Sequence, residues 1–193
     1  MKYGKIKNII KEVLSDQWYT LYRFSYEYQK EDGNWETQRR EAYDRGNGAA
    51  ILLYHPETKK VILTRQFRMP TYVNNNPNGM MIEVCAGMLD DQDPFHCIKK
   101  EVEEETGYRI REVQKVFEAY MSPGAVTEIL HFFIAPYNHS MKVNEGGGAD
   151  HETENIEVME IDFERALEMI ESGEIKDAKT IMLLQYAKLQ QLF

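Results

Sequence analysis

Two hydrophobic rhythms divide this chain. Near its start, Trp18-Tyr19-Thr20-Leu21-Tyr22-Arg23-Phe24-Ser25-Tyr26-Glu27-Tyr28 reads as a strand. Glu31-Asp32-Gly33-Asn34 has the chemistry of a hairpin turn, and Trp35–Tyr43 reads as the returning strand. A hairpin of this size has too little core to stand alone, so it must dock on the rest of the chain or on a second copy. The expected division is an N-terminal antiparallel β hairpin unit over 1–45 and a larger domain over 46–193. In the larger part, Gly48–Tyr54 and Lys60–Arg68 form a second strand pair, and Met80–Cys85 is a further apolar run. The rhythm then changes. Phe95, Ile98 and Val102 fall at the helical spacing i, i+3, i+7, with Asp93-Pro94 as N-cap and first helical residue and Gly107 as the stop. Arg111–Tyr120 and Ile129–Ala135 return to strand patterning, and two amphipathic helices, near 162–172 and 178–192, close the chain. Glu145–Asp150, with its three glycines, reads as a mobile loop. A mixed sheet with helices on both faces, an α/β/α sandwich, is the predicted α/β fold.

The acidic helix carries the first candidate chemistry. Glu101, Glu104 and Glu105 sit at i, i+3 and i+4, on one face. Like charges at that spacing repel by about 0.2–0.5 kcal/mol per pair, a cost that a solvated acidic face also bears. The order strand, glycine loop Ala86-Gly87-Met88-Leu89, acidic helix, glycine favours a divalent cation instead. Oxygen-only ligands select a hard ion, Mg²⁺ with Mn²⁺ as substitute.

Composition narrows what such a site would serve. The net charge of −9 argues against non-specific nucleic-acid binding and repels small anions. A phosphate ester would therefore need metal ions and isolated arginines. Arg39, Arg40, Arg65 and Arg68 are the candidates, although each also suits a solvated strand or turn position. Trp18 and Trp35 suit packing, and the five histidines show no ligand spacing. Two cysteines, Cys85 and Cys97, provide no disulfide framework and point to a reducing compartment. No apolar run approaches the ~20 residues of a membrane span. Met1-Lys2-Tyr3-Gly4-Lys5 lacks a signal-peptide core, so the expectation is a cytoplasmic protein with no membrane or nucleic-acid partner.

Residues 87–108, Gly-Met-Leu-Asp-Asp-Gln-Asp-Pro-Phe-His-Cys-Ile-Lys-Lys-Glu-Val-Glu-Glu-Glu-Thr-Gly-Tyr, resemble a Nudix box, G-x5-E-x7-R-E-U-x-E-E-x-G-U. The C-terminal half, Lys100–Tyr108, fits well, with Lys100 in place of the arginine. Asp93 stands for the early glutamate, and the segment up to Lys100 is one residue short. Ser122–Glu128 resembles the proline-containing loop of the ADP-ribose and nucleotide-sugar branch, and His151–Val158 resembles its acidic loop. Arg39-Arg40-Glu41, Tyr43–Ala49, Gly146–Gly148 and Gly173–Thr180 together look most like the GDP-mannose hydrolases.

The resemblance implies a Nudix sandwich that hydrolyses GDP-mannose to GMP and mannose 1-phosphate. It implies Glu101, Glu104, Glu105, Glu154 and the Ala86 carbonyl at the metal. Glu152 is the candidate general base, with Glu154 second and Glu105 on the helix behind them. Arg39, Arg40 and Arg68 would contact phosphates. Trp18, Glu41, Ala86, Gly87, Met88, Glu128, Thr153 and Lys179 complete the implied substrate site. A homodimer, with the N-terminal unit reaching the partner's nucleotide pocket, is also implied. Hydrolysis of ADP-ribose or another nucleotide sugar, and a regulator that binds without hydrolysis, remain as alternatives.

Overall fold

The structure is a computed structural model that describes residues 4–148 and 155–193. The chain divides into two compact units: Met1–Asn47 with Tyr120–Ile129, and Gly48–Ala119 with Leu130–Phe193.

The first unit is a three-stranded antiparallel sheet of β1 (Ile6–Asp16), β2 (Thr20–Gln29) and β3 (Trp35–Asp44). The β2–β3 hairpin turns where its residues require it, with Gly33 at φ +87°. Strand β1 is not visible in the sequence pattern, because two register breaks, between Lys7 and Ile10 and between Val13 and Ser15, reset its alternation. Asn8, at φ 53°, makes the first break, and its side chain donates to Glu27 at 2.5 Å. The unit is therefore one strand larger than a hairpin. Val126 in the 120–129 segment bridges to Tyr43, and Thr127 donates through Oγ1 to Asp44 at 2.9 Å.

The second unit is built on a mixed sheet. Its strands run β10 (Glu157–Asp162), β5 (Lys60–Phe67), β4 (Gly48–His55), β9 (Ile129–Pro136) and β8 (Gln114–Tyr120), with β4 parallel to β9 and antiparallel to β5. The expected β4–β5 hairpin is paired only at its base, from Leu53↔Ile62 to His55↔Lys60. Beyond that the two strands part. β6 (Met80–Glu83) pairs with β5, β7 (Cys85–Met88) pairs with β4, and Val84 lies at the joint between them. The predicted single strand is thus two short strands wedged into a fork. Strand β10 occupies residues that the sequence pattern assigned in part to the acidic loop.

Strand β4 is buried along most of its length, as strands covered on both faces are. Ala49, Ile51 and Leu53 pack with Phe133, Ala135, Ile98 and Val102. The alternate residues Ala50 and Leu52 are equally buried, and α4 (Ala178–Leu189) packs against β4 with Leu183, Leu184 and Ala187 inward. The remaining helices are α1 (Met69–Val73), α2 (Pro94–Glu101) and α3 (Phe163–Glu171). Among the described residues, no helix is long and apolar enough to cross a membrane.

Candidate active site

Helix α2 begins as its sequence requires. The Asp93 carboxylate accepts from the amides of Phe95 at 3.0 Å and His96 at 3.2 Å, with Pro94 next to it. Ile98 and Val102 are buried, whereas Phe95 is 41% exposed and meets Phe133 edge to face. The helix does not stay α. Val102–Thr106 forms one turn of π-helix, closed by Gly107 at φ 79°. Such turns are rare and often accompany functional sites.

That turn sorts the four carboxylates. Glu103 takes two hydrogen bonds from Arg109, at 2.7 and 2.8 Å, and Glu104 pairs with Lys100 at 2.6 Å. Glu105 is buried, at 2% exposure. Glu101 lies against strand β7: a Cβ on Gly87 would come within 2.5 Å of Glu101 Oε1. Only glycine admits the carboxylate so near the Ala86-Gly87 backbone. The fully buried Cys85 thiol lies near both inward acids. Burial pushes its pKa well up, and Glu105 and Glu101 push it further. Cys97, raised to about 11 mainly by burial, donates its thiol to the Met88 carbonyl at 3.1 Å.

Two carboxylates and a backbone strand form a donor set suited to Mg²⁺, which commonly takes one or two carboxylates and completes its octahedron with water and substrate phosphate. The expected trio on one face is not seen, because Glu104 is turned to Lys100. Among the described residues, no group of three or more His, Cys, Asp or Glu gathers as a metal cage. Glu152, Thr153 and Glu154 lie outside the described residues.

The glycine run also differs from expectation. Gly147 donates to the Glu105 carbonyl at 2.9 Å and Gly148 to the Glu104 carbonyl at 3.1 Å, while Ile156 donates to the Gly147 carbonyl at 3.2 Å. Gly146–Gly148 therefore caps the end of the acidic helix, satisfying carbonyls that a helix terminus leaves without partners.

Arg68, at the end of the β5 segment, donates through Nε to Glu83 at 2.8 Å, and Lys179 of α4 bonds the same carboxylate. Glu83 was not among the sequence candidates. Its signal was a lone carboxylate inside the apolar run Met80–Cys85. Ala86, Gly87 and Met88 pair with Ala50, Ala49 and Gly48 along β4.

The remaining candidates belong to the first unit. Trp18 is 84% exposed, so it is not a packing residue of its own sheet. Arg40 donates to the Arg39 carbonyl at 2.7 Å, Glu41 faces Arg23 at 4.0 Å, and Glu128 pairs with Arg45 at 3.6 Å.

Comparison with known proteins accords with this arrangement. Residues 5–43 match the domain family described as the GDP-mannose pyrophosphatase NudK N-terminal domain, and residues 44–184 match the NUDIX domain. A GDP-mannose pyrophosphatase of Escherichia coli O1:K1 is 53% identical over 181 residues, 94% of each chain. One of Shigella flexneri serotype 5b is 52% identical over the same shares. A crystal structure of an ADP compounds hydrolase superposes with a TM-score of 0.73 over 100% of this chain and 98% of its own, at 16% identity, a likeness of fold. With the NUDIX match spanning 44–184 and relatives at this identity, the chain belongs to the Nudix family, grouped with its GDP-mannose pyrophosphatases.

Proposed function

We propose that this protein hydrolyses the pyrophosphate bond of a nucleotide sugar, GDP-mannose foremost, to GMP and mannose 1-phosphate. The observation that carries the reading is the pair of inward carboxylates, Glu101 against the Gly87 backbone and Glu105 buried beside Cys85. The identity of 53% to GDP-mannose pyrophosphatases supports the choice of substrate.

Glu101, Glu105 and the Ala86 carbonyl would hold Mg²⁺ or Mn²⁺, with Glu154 as an added ligand and Glu104 within reach of the cluster. When bound, the ion offsets phosphate charge and lowers the pKa of a water. The chain's own groups do the rest. Glu152, or else Glu154, takes the proton of the attacking water. Arg68, Arg39 and Arg40 orient the two phosphoryl groups, and Trp18, Glu41, Gly87, Met88, Glu128 and Thr153 bound the nucleotide and sugar. A screen of nucleotide sugars with Mg²⁺, products separated by chromatography, tests this reading. GMP and mannose 1-phosphate are expected, and intact GDP-mannose after prolonged incubation would refute it.

We further propose that the chain works as a homodimer through its N-terminal sheet. Ile6, Ile9, Ile10 and Val13 of β1 are all more than half exposed, and Trp18 is 84% exposed. Side chains of this kind gain most from a second copy that covers them. Light scattering should give twice the 22.7 kDa chain mass at micromolar concentration. A fully active monomer would remove the dimer. The two buried free cysteines suit a reducing, cytoplasmic setting.

A further inference from the structure

Glu83, at the end of β6, is 4% exposed and stands between two cations. Lys179 Nζ bonds its Oε1, and Arg68 Nε donates to its Oε2 at 2.8 Å. Lys179 also donates to Asp177 Oδ1 at 2.9 Å. Asp177 in turn accepts from the Thr180 amide at 2.9 Å and the Thr180 hydroxyl at 2.6 Å, which caps α4. The Thr180 hydroxyl accepts from the Val84 amide, next to Glu83, at 2.8 Å. The start of α4 and the joint of the β6–β7 wedge are thus bolted together, with two carboxylates against two cations.

Exposure rises along this row of charges. Side-chain exposure is 6% for Glu83, 14% for Lys179 and 41% for Arg68. The ammonium lies deep and already serves two carboxylates, whereas the guanidinium is at the surface. Buried ion pairs add little net stability compared with apolar packing, so stability alone is a weak reason for this row. Orientation is a better one. A guanidinium gripped through Nε is fixed in plane, and the far edge of its rigid fork is directed at a second anion.

We propose that Glu83 and Lys179 are positioning residues that hold Arg68 for a diphosphate oxygen of the substrate, and that Lys179 acts through Glu83 rather than by touching substrate itself. This rests on the reading of the chain as a nucleotide-sugar hydrolase. It departs from the sequence expectation, which gave Lys179 a direct contact and Glu83 none.

A double-mutant cycle decides it, read in two ways: KM and kcat for GDP-mannose with Mg²⁺, and the Kd for GDP by calorimetry with metal chelated. Glu83→Gln should raise KM and Kd about tenfold, the scale of one charge-assisted hydrogen bond, with kcat changed less than about threefold. Arg68→Ala should raise both at least as much. In the Arg68→Ala background, adding Glu83→Gln or Lys179→Met should change Kd by less than about twofold, since residues acting through one group are not additive. Equal losses in both backgrounds would overturn the proposal and leave Glu83 a staple for α4. A Lys179→Met loss that persists without Arg68 would make Lys179 a direct contact, and an Arg68→Ala chain with wild-type Kd would also overturn it. If Glu83→Gln fails to fold, Glu83→Asp, which keeps the charge but shortens its reach, replaces it in the same cycle. A wild-type chain that binds GDP but cleaves no nucleotide sugar removes the activity reading alone, while the cycle in GDP affinity still decides the positioning.

Discussion

The two units solve the problem of holding a sheet together in opposite ways. In the second, β4 is buried on both faces, and the residues of interest sit on a frame that cannot shift without disturbing packing. In the first, none of the fully buried apolar side chains among the described residues comes from before Ala49. Its sheet depends on ladder hydrogen bonds and on surface pairs such as Lys7 over Trp35 at 3.9 Å and Lys11 over Tyr22 at 3.5 Å. Contacts of that kind contribute about 0.5–1 kcal/mol each when exposed. The comparison teaches where precision resides. Groups that must be held within fractions of an ångström belong to the buried wedge, and the open sheet offers surface for a partner to cover.

The sharpest way to break this contrast is Glu105→Gln. The substitution keeps shape and burial but removes the inward charge of the π-turn. We predict a loss of about 10³-fold or more in kcat, roughly 4 kcal/mol of barrier, with a far-ultraviolet spectrum like the parent's. Motivation comes from the burial of Glu105 beside Cys85 and Glu101. Turnover within tenfold of the parent would mean that the wedge carries no special chemistry.

Glycine-to-alanine substitutions compare the two units directly. Gly33 and Gly146 both have positive φ, +87° and +70°, so alanine is strained at either place. Their surroundings differ. A Cβ on Gly33 meets nothing within 4 Å, whereas one on Gly146 collides with the Glu105 carbonyl and comes within 2.9 Å of Glu105 C. Gly33→Ala should cost about 1 kcal/mol of stability, the strain alone. Gly146→Ala should cost about 3 kcal/mol, because the π-turn must move as well. Urea titration measures both, and equal costs would show that the glycine run is not the cap it resembles.

How much of this was legible before the structure depends on which interactions set each element. The β2–β3 hairpin, the Asp93–Pro94 helix start, the Gly107 stop and the two closing helices follow from local chemistry, and the sequence displays them. Strand β1 was hidden because Asn8 and the second bulge shift its alternation out of phase. The fork was hidden because β6 and β7 read as one apolar run; only tertiary pairing splits them at Val84. In the site, Glu101 and Glu105 were legible from helical spacing. Glu104 was misjudged because Lys100, one turn earlier, claims it, and Glu83 was missed because its value lies in partners 15 and 96 residues away. The glycines were read as freedom, while in the structure they cap a helix.

The smallest predicted effect concerns acid. Glu83 and Asp32 both have carboxyl pKa values below the ordinary range, one in each unit, for different reasons. At Glu83 burial pushes the value up, but Lys179 and Arg68 more than offset it. At Asp32, the Asn34 amide and side chain hold it down on an open turn, with Lys30 adding less. A carboxylate depressed in the folded state contributes stability that is fully present above its unfolded value and is lost as pH falls through its folded value. For Glu83 that window opens below about pH 4.5, its reference value. The Glu83→Gln variant, already less stable at pH 7, should therefore lose less further stability than the parent between pH 5 and 3, whereas Asp32→Asn should follow the parent's curve closely, since exposed charge pairs contribute little. Thermal melts of the three proteins across that range measure the difference. Parallel curves for Glu83→Gln and the parent would mean that the buried row of charges gives the second unit no acid sensitivity beyond that of an exposed turn.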